Sequence, residues 1–170
     1  MAFVCNNCPY AQNPAINLKY ENNKSNHLLV FQSPGYDEWM GTNLTTSGKR
    51  IPIDSISPHS CAARMRKSFS RKNVSRKDYD IAEAVCCFPG KLSSNRRDKK
   101  PKVKSINQCA VNMSQLLSKN KYLKITCFGS IAYDVVNKAI KIIKNWTGPI
   151  PTHVSHPSGR ISNETLDQSY

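Results

Sequence analysis

Four consecutive apolar residues, Leu28, Leu29, Val30 and Phe31, stand out of a polar surrounding. A run without alternation is the pattern of a strand covered on both faces. It stops at Gln32-Ser33-Pro34-Gly35, a turn sequence. A second strand is predicted over Tyr79–Cys87, where Ile81, Ala82, Ala84 and Val85 are apolar, and Phe88-Pro89-Gly90 ends it. Tyr122–Phe128 reads as a third strand and Thr152–Ser155 as a short candidate fourth. Helical spacing fills the intervals. Ala62, Ala63 and Met65 place a helix in the second half of Ile51–Met65. Ile106, Ala110, Met113, Leu116 and Leu117 mark one over Ile106–Leu117. Ile131, Val135, Ala139 and Ile142 mark one that starts at Gly129-Ser130 and is stopped by Gly148-Pro149. Lys138, Lys141 and Lys144 lie late in that helix, where cations suit the dipole. Residues 9–26 and Thr42–Gly48 read as irregular connections.

Strands alternating with helices predict one α/β domain over residues 1–170, with a short central parallel sheet between helical layers. No internal repeat is visible. In such sheets ligands bind at the carboxyl ends of the strands. A strand that ends in Gln32-Ser33-Pro34-Gly35 and runs on into Asp37 and Glu38 is therefore a candidate pocket wall. The plainer alternative is an ordinary strand and turn with solvated acids.

Charge narrows the class of partner. The chain carries 25 Lys and Arg against 11 Asp and Glu, a formal net charge of +14. Such an imbalance favours a polyanion, and nucleic acid comes first. Cations concentrate in two stretches, Arg64–Lys77 and Lys91–Lys104, and Pro101 prevents the second from being one continuous helix. Phosphate contact stands level with a solvated face as the reading of the first. No apolar segment is long enough to span a bilayer, and the start MAFVCNNC lacks the features of a signal peptide. The expectation is a monomer without a membrane partner, in the cytoplasm, nucleoid-associated in a bacterial or phage setting.

Seven cysteines, an odd number at uneven spacing, argue against a disulfide framework. Cys5-Asn6-Asn7-Cys8 is half of a metal or cluster site and needs further ligands from elsewhere.

Taken in order, the motifs form a set. They are Cys5-x-x-Cys8, the strand with Gln32-Ser33-Pro34-Gly35-Tyr36-Asp37-Glu38, a strand into Cys87-Phe88-Pro89-Gly90, Asn95-Arg96-Arg97, Cys109 on a helix, Ile125-Thr126-Cys127-Phe128-Gly129-Ser130-Ile131-Ala132, and His156-Pro157-Ser158. The set resembles the uracil-DNA glycosylase superfamily, specifically its iron–sulfur branch. That branch has a Cys-x-x-Cys, a G-E-x-P-G-x-x-E loop, a K-C-R-P-P…N-R…P…C block, a V-T-L-G-x-x-A strand–helix and a final H-P-S or H-P-A.

The resemblance implies a three-layer α/β/α domain that excises uracil, or a related deaminated base, from single- or double-stranded DNA by hydrolysis of the N-glycosidic bond. It assigns a 4Fe-4S cluster to Cys5, Cys8, Cys87 and Cys109, with Cys86 as the alternative to Cys87 and zinc as the rival metal. Cys61 and Cys127 read as buried small residues. Gln32, Asp37 and Glu38 fall around the water and sugar, and His156 on the departing base, an electrostatic role. Gly35, Leu44, Glu83 and Ser158 line the flipped base, and Arg96, Arg97, Lys99 and Lys100 meet phosphates.

Three positions depart from the family pattern. Gln32 stands where the family has a carboxylate. Leu44 stands where a Phe stacks on uracil. Glu83 stands where an Asn reads the base edge, and there it repels carbonyl oxygens unless it is protonated. Arg96-Arg97 is followed by Asp98 and Lys99, so covalent trapping by a loop histidine is not implied. These departures open an alternative: a glycosylase-fold module that binds DNA or protein without cutting. Electron transfer is a third reading, supported by the cysteines alone.

Overall fold

The structure, a computed structural model, describes residues 5, 8–10, 20–45, 50–92, 98–159 and 161–170. Five strands, β1 (Tyr20–Glu21), β2 (His27–Phe31), β3 (Asp80–Glu83), β4 (Lys124–Phe128) and β5 (Thr152–Val154), form one sheet in the order β1-β3-β2-β4-β5. All neighbours are parallel except β1, which runs antiparallel to β3. The helices are α1 (Tyr36–Met40), α2 (Cys61–Arg71), α3 (Val103–Lys119), α4 (Ser130–Ile142) and α5 (Asn163–Gln168).

The central strand β2 explains the layering. Leu28 and Val30 point into a core shared with α3 and α4. Leu29 and Phe31 point the other way, into a core shared with α2, α5 and Tyr170. With both faces apolar, β2 has to be covered on both sides, and the crossovers supply the cover. The result is the expected three-layer α/β/α arrangement around a short, mostly parallel sheet. No helix among the described residues is long and apolar enough to cross a membrane.

Several boundaries differ from the sequence reading. The second strand ends at Glu83 rather than Cys87. Beyond it Ala84 and Val85 still donate backbone hydrogen bonds to Phe31 and Gln32 at 2.7 and 2.9 Å, but the chain bends away before the cysteines. Helix α3 begins at Val103, just past Pro101, so the basic stretch 91–104 runs into a helix. Helix α4 ends at Ile142 rather than near Gly148. Strand β1 and the short helices α1 and α5 were not legible as periodic patterns, because two- to six-residue elements are too short to show a period.

The stretch Arg64–Lys77, read as a basic loop, is largely helix α2, and its cations serve the interior. Ser60 caps the helix by accepting from the Ala63 N–H. The Arg64 guanidinium donates to the carbonyls of Pro157, Gly159 and Ile161. Arg66 donates to Ser55 O. Arg71 pairs with both oxygens of Asp167. Lys72 meets Tyr170 O and lies over its ring. Arg76 pairs with Glu21 and holds the carbonyls of Pro52 and Ile53. Five of the seven cations in this stretch are thus engaged within the protein, and most of the stretch is helix rather than loop.

At the amino end of β3, buried Asp80 gathers four donors: Tyr20 Oη at 2.6 Å, Tyr122 Oη at 2.9 Å, and the backbone N–H groups of Asn23 and Ser25. This network ties β1 to the sheet. Hydrogen bonds to a buried charge contribute about 1.5–3 kcal/mol each. Asp80→Ala is expected to lower the unfolding free energy by about 3 kcal/mol and Tyr122→Phe by about half of that, read from urea midpoints at unchanged slope.

Candidate functional site

The strand order reverses its direction of growth at β2, with β3 to one side and β4 to the other. The crevice at the carboxyl ends of β2 and β4 is where sheets of this kind bind ligands. Phe31, the last residue of β2, stacks on Phe128, the last of β4, with centroids 4.5 Å apart, and both rings belong to the buried core beneath these strand ends. The polar residues predicted from sequence arrive on the segments that leave these strand ends.

Gln32 follows β2 directly and is half-buried. Gly35 caps α1, and a Cβ there would lie 2.7 Å from Glu38 Oε2, so the buried Glu38 carboxyl rests against the turn. Asp37 accepts from Ser55 Oγ at 2.8 Å. Leu44 lies half-buried in the loop after α1. Glu83, the last residue of β3, is 3% exposed, and its Oε2 has no hydrogen-bond partner among the described residues.

Glu83 is covered by the buried segment Ile51–Ser55. The Ile53 N–H hydrogen-bonds to its carboxyl. Ile53 adopts φ 51°, a conformation that a β-branched residue takes only when its surroundings impose it. The imposing groups are Arg76, which holds the carbonyls of Pro52 and Ile53, Arg66 on Ser55 O, and Ser55 on Asp37.

Electrostatics at this edge favour neutral groups. Burial, reinforced by the charge of Glu38, pushes the Glu83 carboxyl well above its ordinary value. Burial also raises Glu38, with Asp37, Asp98 and Asp54 adding to the effect. Cys61, at the start of α2, sits within the field of Glu83 and Glu38, and burial above all raises its thiol. The site therefore favours the protonated forms of these carboxyls more than water does.

His156 approaches from β5. Ser158 donates its backbone N–H to His156 Nδ1 at 3.2 Å, and its hydroxyl lies 2.7 Å from the same nitrogen. Because a backbone N–H can only donate, Nδ1 is the acceptor, and the neutral ring carries its proton on Nε2. Burial lowers the His156 pKa to about 4. The ring packs on Gly129, at the end of β4, whose φ of +94° suits glycine. Arg64, one turn into α2, clamps the Pro157, Gly159 and Ile161 carbonyls and so holds the His156 turn against the helix whose first residue is Cys61.

The structure thus gathers Gln32, Gly35, Asp37, Glu38, Glu83, His156 and Ser158 along one edge of the sheet. It shows no ring or hydrogen-bond contact from Leu44 to that group. Lys99 and Lys100 are exposed beside the bridge that pairs Lys91 with Asp98, while Arg96 and Arg97 lie outside the described residues. The Ile53 turn and the Arg64 clamp were missed from sequence. Nothing in the local pattern marks them, since each acts through carbonyls distant in the chain.

The cysteines are spread over the fold: Cys61 lies in the field of Glu83, and Glu83 lines the same small cavity as Cys86 and Cys109. None is disulfide-bonded. The Cys8 thiol reaches Ser105 Oγ at 3.8 Å, one helical turn before Cys109 on α3. Cys109 and Cys86 both line a small cavity with Asn112, whereas Cys87 is not among its lining residues. Among the described residues no three His, Cys, Asp or Glu side chains are grouped to hold a metal ion. The N-terminal pair approaches α3 without a closed ligand set.

No family model matches the chain, and no curated protein matches it in sequence.

The raised Glu83 carboxyl and the lowered His156 pKa have opposite consequences for stability. The folded state keeps the Glu83 proton above pH 4.5, where the unfolded chain releases it, so this residue costs stability as pH rises. The unfolded chain protonates His156 near pH 6.5, whereas the folded state does so only near pH 4, so this residue costs stability as pH falls between those values. Relative to wild type, Glu83→Gln is expected to gain stability towards alkaline pH, and His156→Gln from about pH 6.5 down to about 4. Denaturant titrations across pH read both differences.

Proposed function

We propose that this sheet edge is a nucleobase pocket and that the protein, acting as a monomer on DNA, is a glycosylase of the uracil type. The reading is supported by the position of Gln32, Glu83 and His156 on segments at the carboxyl ends of the strands, with burial favouring the neutral forms of Glu83 and His156. A protonated carboxyl offers one O–H donor and one carbonyl acceptor, the same pair that an amide offers. Glu83 can therefore serve where the resembling family has an asparagine. Its Oε2, without a partner among the described residues, donates to a carbonyl oxygen on the edge of the extruded base.

Neutral His156 donates from Nε2–H to the oxygen that gains charge as the bond between C1′ and the base nitrogen breaks. The bonding electrons leave with the base. Water held by Gln32 adds to C1′, and its proton passes to Asp37. A 4Fe-4S cluster on Cys5, Cys8, Cys87 and Cys109 belongs to the same proposal, with zinc as the rival. Its role is structural, and the chemistry does not pass through it.

A second reading rests on Gln32 and Glu38. The first carries no carboxylate, and burial favours the protonated form of the second, which leaves Asp37 as the only one of the three suited to take the water proton. A glycosylase-fold module that holds DNA or a DNA-bound protein without cutting it fits those two features.

Release of free base from oligonucleotides carrying uracil, hypoxanthine or xanthine decides between the readings. The glycosylase reading expects release, a loss on the order of a hundredfold in His156→Ala, near-normal rates in Glu83→Gln and a marked loss in Glu83→Ala. Salt-sensitive binding without release would select the module. For the metal, the purified protein is expected to be brown with bound iron, and Cys8→Ser or Cys109→Ser to bleach it. A colourless protein with stoichiometric zinc would replace the cluster with that ion.

A further inference from the structure

A second surface lies beside the Gln32-Ser33-Pro34-Gly35 turn. Helix α1 presents Tyr36, 38% exposed, and Met40, 43% exposed, to solvent. Trp39 stacks on buried Phe88 at 5.2 Å, and Tyr36 lies within 6.0 Å of both rings. The group is anchored by Phe88 and is open at Tyr36. Cations surround it. Lys91 Nζ lies 4.1 Å from the Tyr36 ring centroid. The Lys99 N–H donates to Gly90 O at 2.7 Å, which sets Lys99 next to Lys91. The Arg50 guanidinium packs on Gly41 at the end of α1.

We infer that this surface binds single-stranded nucleic acid, with a base stacked at Tyr36 and Trp39 and the phosphates met by Lys91, Lys99 and Arg50. Three features favour that occupant. An exposed ring, here Tyr36 backed by half-buried Trp39, flanked by cations can bind an unpaired base and its backbone together. An ammonium already over the Tyr36 ring can turn to a phosphate when a base takes its place. The net charge of +14 raises the local concentration of any polyanion. A duplex keeps its base faces stacked internally and cannot use the rings. The surface adjoins the sheet-edge site through α1, but strand binding there does not require the chemistry proposed for that site.

Trp39 and Trp146 are the only tryptophans, so a Trp146→Phe chain makes Trp39 the sole indole reporter. Titration with oligothymidylate is expected to quench its fluorescence, with affinity falling as salt rises. In that background Tyr36→Ala should weaken binding on the order of tenfold, while Tyr36→Phe, which keeps the ring, should bind as the parent does. Lys99→Ala should weaken binding and flatten the salt dependence. An oligouridylate arm separates RNA from DNA as the source of the strand. Absence of quenching, equal affinity for a blunt duplex of the same length, or Tyr36→Ala and Tyr36→Phe behaving alike would each overturn the inference. Base release plays no part in this readout, so an inactive pocket leaves the result intact.

Discussion

Burial of β2 on both faces is the constraint from which the rest of the structure follows. Leu28, Leu29 and Val30 are fully inaccessible and Phe31 nearly so. A strand with no solvent face has to sit inside a sheet and between two helical layers. Parallel neighbours on both sides satisfy its backbone, and each parallel step requires a crossover that returns over one face or the other. The reversal in strand order at β2 follows from filling both flanks, and it places Gln32 and Glu83 at the carboxyl ends of neighbouring strands.

The arginines are the second structural feature. In a chain so rich in cations, an external role for a basic run is the natural expectation. Here Arg64, Arg66 and Arg76 are spent on main-chain carbonyls of loops that have no regular structure of their own. A guanidinium has five donors in a fixed plane and can satisfy several carbonyls at once. These clamps impose the strained Ile53 turn over Glu83 and hold the His156 turn to α2. Lys91, by contrast, lies over the exposed Tyr36 ring, with Lys99 beside it.

The sheet edge is electrically quiet for a protein of this charge. Low dielectric disfavours ionised carboxyls and imidazolium alike, so Glu83, Glu38 and His156 all shift toward their neutral forms. A pocket of neutral donors and acceptors can read the polar edge of a base without repelling its carbonyl oxygens. The departure at position 83, which looks like a conflict when a full negative charge is assumed, is consistent with base recognition once burial is taken into account.

The residues by themselves determined the class of fold. A four-residue apolar run, three helical periods and the turn sequences between them are local signals, and each survives as an element, with boundaries moved by a few residues. They also marked Gln32, Glu38, Glu83 and His156, because each sits at the end of a recognisable strand or on the segment that follows it. Only the tertiary structure decided what those residues are. The protonation of Glu83 depends on the Ile51–Ser55 cover. The tautomer of His156 depends on the Ser158 backbone. The inward use of the Arg64–Lys77 cations depends on carbonyls from roughly ten to nearly a hundred residues away. Burial and long-range hydrogen bonding are properties of neighbours in space, and no periodicity along the chain encodes them.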